Sequence, residues 1–419
     1  MFKRILTISL AILMAACAGC VRTEAPSNEP DNAEAIGFIN KKGQAVPLSI
    51  RIKDREKMPL DSYDAAYSTV NNEFAVTMLG AMPEDHTCVF SPLSLQIALQ
   101  ILATGGDEAT CEKMLNSICP GLDRKTIETS SAALIDRLVK SEGVTINSAV
   151  AVNSAYQVCE AFANSAADNY LASVGTLDFS DPDAALAEIN GWVEHNTDGL
   201  IKQLLDRSDI SVETAVVILN ALTLKLNWKH PFTLQRGQIV FTDINGNTSS
   251  APEMKLVKEL NYGKFPEGQM AVLPYEGGEY AMALILPAEG VTASEAAAAL
   301  IGKYESCSPI NICIRMPKLE LNDKIDVLKM TEKLGIKEAL EGNYTEMIGD
   351  SVSITTILQG ATLSVTESGT TAAAATAIVG TKGVEWFETE MVCDRPFAMV
   401  IYNVETGAVL FVSVVNSLD

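Results

Sequence analysis

Glu367-Ser368-Gly369-Thr370-Thr371-Ala372-Ala373-Ala374-Ala375-Thr376-Ala377, with Asp394-Arg395-Pro396-Phe397 behind it near the C-terminus, decides how this 419-residue chain is read. Taken locally, the consecutive alanines Ala372 to Ala375 are the best helix formers available and would make a surface helix. The neighbours argue otherwise. Ile378-Val379-Gly380-Thr381-Lys382-Gly383-Val384-Glu385 carries two glycines and reads as an exposed loop. Pro396-Phe397 then leads into the apolar run Ala398 to Ile401, which reads as a buried strand. A run of small residues feeding a glycine-containing tip reads as exposed bait.

Working outward, short and nearly continuous apolar runs recur at Ala215 to Leu219, Met270 to Leu273, Ala281 to Leu286, Ile310 to Ile314, Leu363 to Val365 and Val409 to Val415. They predict buried strands. Earlier in the chain the spacing is helical. Ala65, Ala66, Val70, Phe74, Ala75 and Met78 share one face behind Asp64. Asp181-Pro182 places a cap and a first-turn proline ahead of Leu186, Ile189, Trp192 and Val193, with Gly199 as the stop. Helices before strands predict an α+β fold and disfavour Rossmann and barrel architectures. From about Ser62 onward no repeat, linker or charge block marks a domain boundary.

The N-terminus is of another kind. Lys3-Arg4, the apolar run Ile5 to Met14 and Ala15-Ala16-Cys17 form a secretory signal over residues 1–16. Met14-Ala15-Ala16-Cys17 resembles the lipobox of bacterial lipoproteins, with methionine where leucine is commoner, and implies lipidation of Cys17. Residues 17–60 then read as a tether, polar and too poor in apolar side chains to fold. The expected protein is exported and held at a bacterial envelope membrane by its lipid, with one soluble domain over residues 61–419. A formal net charge of -22 excludes nucleic acid and other polyanions as partners. Of nine cysteines, Cys17 and Cys20 belong to the export segment; the rest sit mostly among apolar neighbours, as buried free thiols do.

Further motifs span the whole body of the chain. They are Phe90-Ser91-Pro92-Leu93-Ser94 with Ala98-Leu99 and Gly105-Gly106, and Asn190-Gly191-Trp192-Val193 with Thr197. Leu219-Asn220-Ala221-Leu222-Thr223-Leu224-Lys225 follows, with Trp228 and Pro231-Phe232. Leu273-Pro274-Tyr275, Ile285-Leu286-Pro287, Met316-Pro317-Lys318, Thr406-Gly407 and Leu410-Phe411 complete the series. Each is weak alone, but in this order and spacing they resemble the serpins. The resemblance implies the serpin fold: one domain with a large central β-sheet, further sheets, about nine helices and an exposed reactive-centre loop near residues 367–393.

It also implies a function. A protease cuts the loop as substrate, and the loop enters the main sheet as a new strand before the acyl-enzyme is hydrolysed, trapping the protease. Glu367, Gly369, Thr370, Ala372, Ala373, Ala374, Ala375 and Thr376 would be the hinge. Thr370, Ala372, Ala374, Thr376 and Ile378 would face one side of the entering strand, and none carries a charge. Gly369 would give the backbone freedom to turn. Counting from Glu367 puts the reactive bond at Gly383, whereas counting back from Pro396 leads toward Glu385. Lys382 is the only basic residue of the window, so Lys382-Gly383 suits a trypsin-like enzyme. Val379, Thr381 and Val384 suit elastase-like or subtilisin-like ones, and cysteine proteases stay open as targets. A monomer is expected.

Ser91, Ser94, Asn220 and Gln359 match the polar cluster at which the family's sheet opens, although Ser91 or Ser94 also reads as a helix cap and Asn220 as a satisfied buried amide. Gln359 replaces a common histidine, and Ser413 and Ser417 replace a usual glycine and proline. No GxSxG, HExxH or phosphate-cradling glycine motif is present, and His86, His195 and His230 lack metal-ligand spacing, so neither catalysis, cofactor nor metal is expected. The competing reading is a non-inhibitory serpin that acts as a binding module. The small-residue hinge argues against it.

Overall fold

Asp64 accepts a hydrogen bond from the N–H of Ala66 and caps α1 (Ala65–Ala81), as the apolar spacing predicts. β1 (Cys88–Phe90) follows, then α2 (Pro92–Thr104), with Ser91 as cap and Pro92 in the first turn. Every α2 residue from Pro92 to Ala103 is buried, as befits a helix enclosed on all sides. The chain continues through α3 (Glu108–Ile118), α4 (Arg124–Lys140), β2 (Val144–Asn153), α5 (Glu160–Tyr170), β3 (Ser173–Leu177) and α6 (Pro182–Asn196). Asp181 caps α6, and Asp198 and Gly199, both left-handed, turn the chain out of it. This computed structural model describes residues 59–350, 354–370 and 386–418.

Strands dominate from there on. β4 (Val216–Leu224), β5 (Leu226–Asn227), β6 (Thr233–Thr242), β7 (Thr248–Phe265), β8 (Gly268–Pro274) and β9 (Tyr280–Pro287) precede α7 (Ala293–Leu300). β10 (Ser308–Pro317) and β11 (Leu319–Asp326) lead to the single-turn helices α8 (Lys337–Leu340) and α9 (Thr345–Ile348). β12 (Thr356–Val365), β13 (Gly369–Thr370), β14 (Thr389–Val392), β15 (Phe397–Asn403) and β16 (Val409–Val415) close the chain. The apolar runs read as strands all fall in strands, with Ala215 just ahead of β4, and the fold is α+β.

A nine-stranded sheet runs β1-β16-β15-β9-β8-β7-β10-β14, with β6 also on β7. A seven-stranded sheet runs β3-β2-β4-β12-β13-β5, with β11 also on β12. α2 lies between them, packed on β16 of one and β4 of the other. β4 is buried along its whole length because both its faces are covered. Val216, Ile218 and Leu222 join the main core, while Val217 and Leu219 pack with Ile189, Trp192 and Val193 of α6.

Cys88, Cys111, Cys119, Cys307, Cys313 and Cys393 are buried free thiols and Cys159 is partly buried. Burial pushes Cys88 and Cys119 up to about 12, which leaves both as unreactive thiols. Ser413 is fully buried between β1 and β15, and its hydroxyl has no partner among the described residues. An unsatisfied buried hydroxyl costs about 1–3 kcal/mol, so Ser413→Ala should stabilise the native state by about 1 kcal/mol, read as a higher urea midpoint.

Candidate functional site

The seven-stranded sheet has a seam between β4 and β12. The two strands pair in parallel from Val217↔Thr356 to Ala221↔Gly360, and there the register ends. Above it the chain makes a tight turn after β12 and comes back as β13, which pairs antiparallel with both neighbours: Val365↔Thr370 on one side, Gly369↔Asn227 and Thr370↔Leu226 on the other. Two residues of the predicted hinge are therefore already a strand at the head of the seam.

Each residue of that turn is held. The Glu367 carboxylate pairs with the Lys318 ammonium at 3.1 Å, and its carbonyl accepts from the Phe232 N–H at 2.8 Å. Burial opposes ionisation of Glu367, but its own backbone N–H and Lys318 hold its carboxyl below the usual range. The Trp228 N–H donates to the Ser368 carbonyl and the Trp228 indole to the Thr366 carbonyl, both at 2.9 Å. Gly369 is needed for space: a Cβ there would run into the Leu226 carbonyl oxygen. It is not among the glycines with positive φ, so close approach rather than freedom to turn explains it. Thr370 is fully buried and shares a 2.5 Å hydrogen bond with the Tyr275 hydroxyl, whose ring stacks on Trp228 at 4.5 Å. Burial drives the Tyr275 phenol far above its ordinary range, so this contact is neutral.

Below the hinge, Asn220 on β4 and Gln359 on β12 face each other in register across the seam. Each side chain reaches down to the start of α2. Ser94 donates its hydroxyl to Asn220 Oδ1, while Asn220 Nδ2 donates to Ser148 Oγ at 2.8 Å. Gln359 accepts from the Ser91 N–H at 3.1 Å and donates to the Ser91 carbonyl at 2.8 Å. Ser91 Oγ also accepts from the Ser94 N–H at 3.2 Å, so Ser91 is a helix cap and a cluster member at once. Separating β4 from β12 must disturb one half of this network.

The structure thus joins Ser91, Ser94, Asn220 and Gln359 in one cluster, and places Glu367, Gly369 and Thr370 at the head of the same seam. Ala372, Ala373, Ala374, Ala375, Thr376, Val379, Thr381, Lys382, Gly383, Val384 and Cys17 lie outside the described residues. The chain is next described at Trp386, two-thirds exposed, and joins the other sheet as β14, parallel to β10. Sequence reading gave no role to Ser148, Trp228, Tyr275 and Lys318. The last three stood within its motifs, but only their partners far along the chain reveal what they do. Among the described residues no three His, Cys, Asp or Glu side chains converge as a metal requires, and no helix is long and apolar enough to cross a membrane.

Comparison with known proteins agrees with this geometry. A serpin-like protein of Methanosarcina acetivorans is 29% identical over 99% of this chain and 97% of its own length. The native-state crystal structure of the thermophilic serpin tengpin superposes with a TM-score of 0.76 at 22% identity, covering 84% of this chain and 94% of that one. The fold is also that of thyroxine-binding globulin in complex with thyroxine, at a TM-score of 0.74 and 22% identity over 84% of this chain and 99% of that one. The family model described as serpin, serine protease inhibitor, matches residues 69–418, and the chain belongs to the serpin family.

Proposed function

We propose that this serpin inhibits serine endopeptidases as a suicide substrate, from a lipid anchor at Cys17. The observation that carries the reading is β13: the first hinge residues are seated as a strand, with Thr370 buried, directly above a seam whose lower half is a single parallel pairing. The sequence that follows, Thr371 to Thr376, is small and uncharged, so nothing in it resists burial as the strand lengthens. Lys382 is the leading residue at the cut. The protease serine attacks the Lys382 carbonyl, an ester forms, and the Gly383 amine leaves. Extension of β13 down the seam then competes with hydrolysis of that ester. Strand pairing on both sides and burial of the alanine methyls drive it, so the native fold is a metastable state held by a barrier. A trypsin-like enzyme is the favoured target, and protection of the envelope the role of the anchor.

Mixing the full chain with a trypsin-like and an elastase-like protease tests this. The expected result is a complex that survives boiling in detergent and a released peptide that begins at Gly383. Cleavage of the loop by every protease tried, with no complex, would count against inhibition and favour a binding role. Partition into detergent, lost in Cys17→Ser, checks the anchor in the same preparation.

A further inference from the structure

The segment between α6 and β4 crosses the seam twice. It leaves α6 beside β2, where Asn147 donates to the Asn196 carbonyl at 2.7 Å. Asn190 Oδ1 then accepts from the N–H groups of Leu204 and Leu205, both at 2.9 Å, which pins this strap to α6. Leu204 lies over Gly360 of β12, where a Cβ would collide with it, and Ile201, Leu204, Leu205 and Ile210 form a common core with Val217, Leu219 and Leu358. The strap reaches as far as β11. There the Lys324 ammonium meets Asp209 at 2.5 Å and Asp206 at 2.8 Å. On its way back it gives the Asp209 carbonyl to the Thr356 hydroxyl at 2.9 Å before joining β4 at Val216.

Lys324 sits opposite Gly360, and Gly360 opposite Ala221, so β11, β12 and β4 are aligned in one row beneath the strap. The strap is covalently continuous with β4 but ion-paired to β11. A strand entering the seam must move β12 and β11 away from β4 by about 4.8 Å, one strand spacing. Leu204 can slide over the apolar surface. The ion pairs cannot stretch that far and must break or drag the strap with them.

We propose that Lys324 with Asp206 and Asp209 is an electrostatic latch across the β4–β12 seam, which holds the sheet closed and sets the rate at which a new strand enters. It rests on the insertion reading above and specifies what controls it. The latch is partly exposed, with side-chain accessibilities of 32% for Lys324, 57% for Asp206 and 21% for Asp209, so salt screens it. Lys324 holds the Asp206 carboxyl below its ordinary range.

The test measures uptake of a synthetic peptide with the sequence of residues 371–381 by the full chain, followed as a rise in thermal stability. Lys324→Met should take it up about fivefold faster than wild type, the scale expected for two partly exposed pairs, and Lys324→Arg should stay within about twofold. Raising sodium chloride from about 0.05 to about 0.5 M should speed the wild type and leave Lys324→Met unchanged. The double variant Asp206→Asn/Asp209→Asn, which removes both pairs, should behave as Lys324→Met does, and replaces it should that variant fail to fold. Equal rates and equal salt slopes in wild type and both variants overturn the latch and leave insertion standing. A wild type that takes up no peptide and gains no stability on loop cleavage overturns insertion itself, and the latch with it.

Discussion

Thr370→Arg should leave the protein cleavable at its loop and abolish trapping. Thr370 is fully buried between β12 and β5, its hydroxyl bonded to the neutral Tyr275 hydroxyl, beside the stacked Trp228 and Tyr275 rings. Among the described residues the neighbouring carboxylate, Glu367, is already engaged by Lys318. Leaving a buried charge unpaired costs about 3–5 kcal/mol. The native chain can escape this by letting β13 swing out, at the cost of a two-residue strand, so the rest of the fold survives. Insertion has no such escape, because the strand cannot lengthen without burying position 370 first. At about 1.4 kcal/mol per decade, entry slows by about two to nearly four orders of magnitude and hydrolysis of the ester wins. The measurement is the yield of detergent-stable complex per loop cleaved, with Thr370→Ser, which keeps the hydroxyl, as the control. Trapping by Thr370→Arg at the yield of wild type would sink the insertion mechanism.

That burial of Thr370 was not legible in the sequence. Strands such as β4, β9, β15 and β16 were, because covered faces on both sides impose unbroken apolar runs. α1 and α6 were legible through Asp64, Asp181 and Pro182, since capping is a local matter of a few residues. β6, β7 and β11 were not read, because strands with one exposed face carry too many polar residues to stand out. The hinge shows a deeper limit. Whether Thr370 lies in a loop or a sheet depends on Leu226, Trp228 and Tyr275, whose grip on the chain no property of residues 367–377 reports. Lys324 is the extreme case: a lysine more than a hundred residues from Asp206 and Asp209 gives no sign in sequence of pairing with either.

Gln359→Ala should weaken the native state and quicken the opening of the seam. Its amide satisfies both the N–H and the carbonyl of Ser91, and the carbonyl has a second partner in the Leu95 N–H. Truncation therefore leaves one buried donor without an acceptor, together with a small void, a loss of about 2 kcal/mol. Where the open state has already given up this contact, the loss falls on the closed state alone, and opening speeds by about tenfold or more. The first thermal transition and the rate of peptide uptake read the two effects, and an unchanged value of both would show that Gln359 does not hold the seam. Gln359→His sharpens the argument through its pH dependence. An imidazole buried at the N-terminus of α2 is disfavoured as a cation by desolvation and by the helix dipole, so its folded pKa lies below the ordinary value of about 6.5. A depressed folded pKa means the unfolded chain binds the proton more readily, so stability is full above about pH 6.5 and falls as pH drops below it. The variant should open faster at pH 5 than at pH 8, whereas a glutamine in the same place, having no proton to gain, gives this seam no such switch.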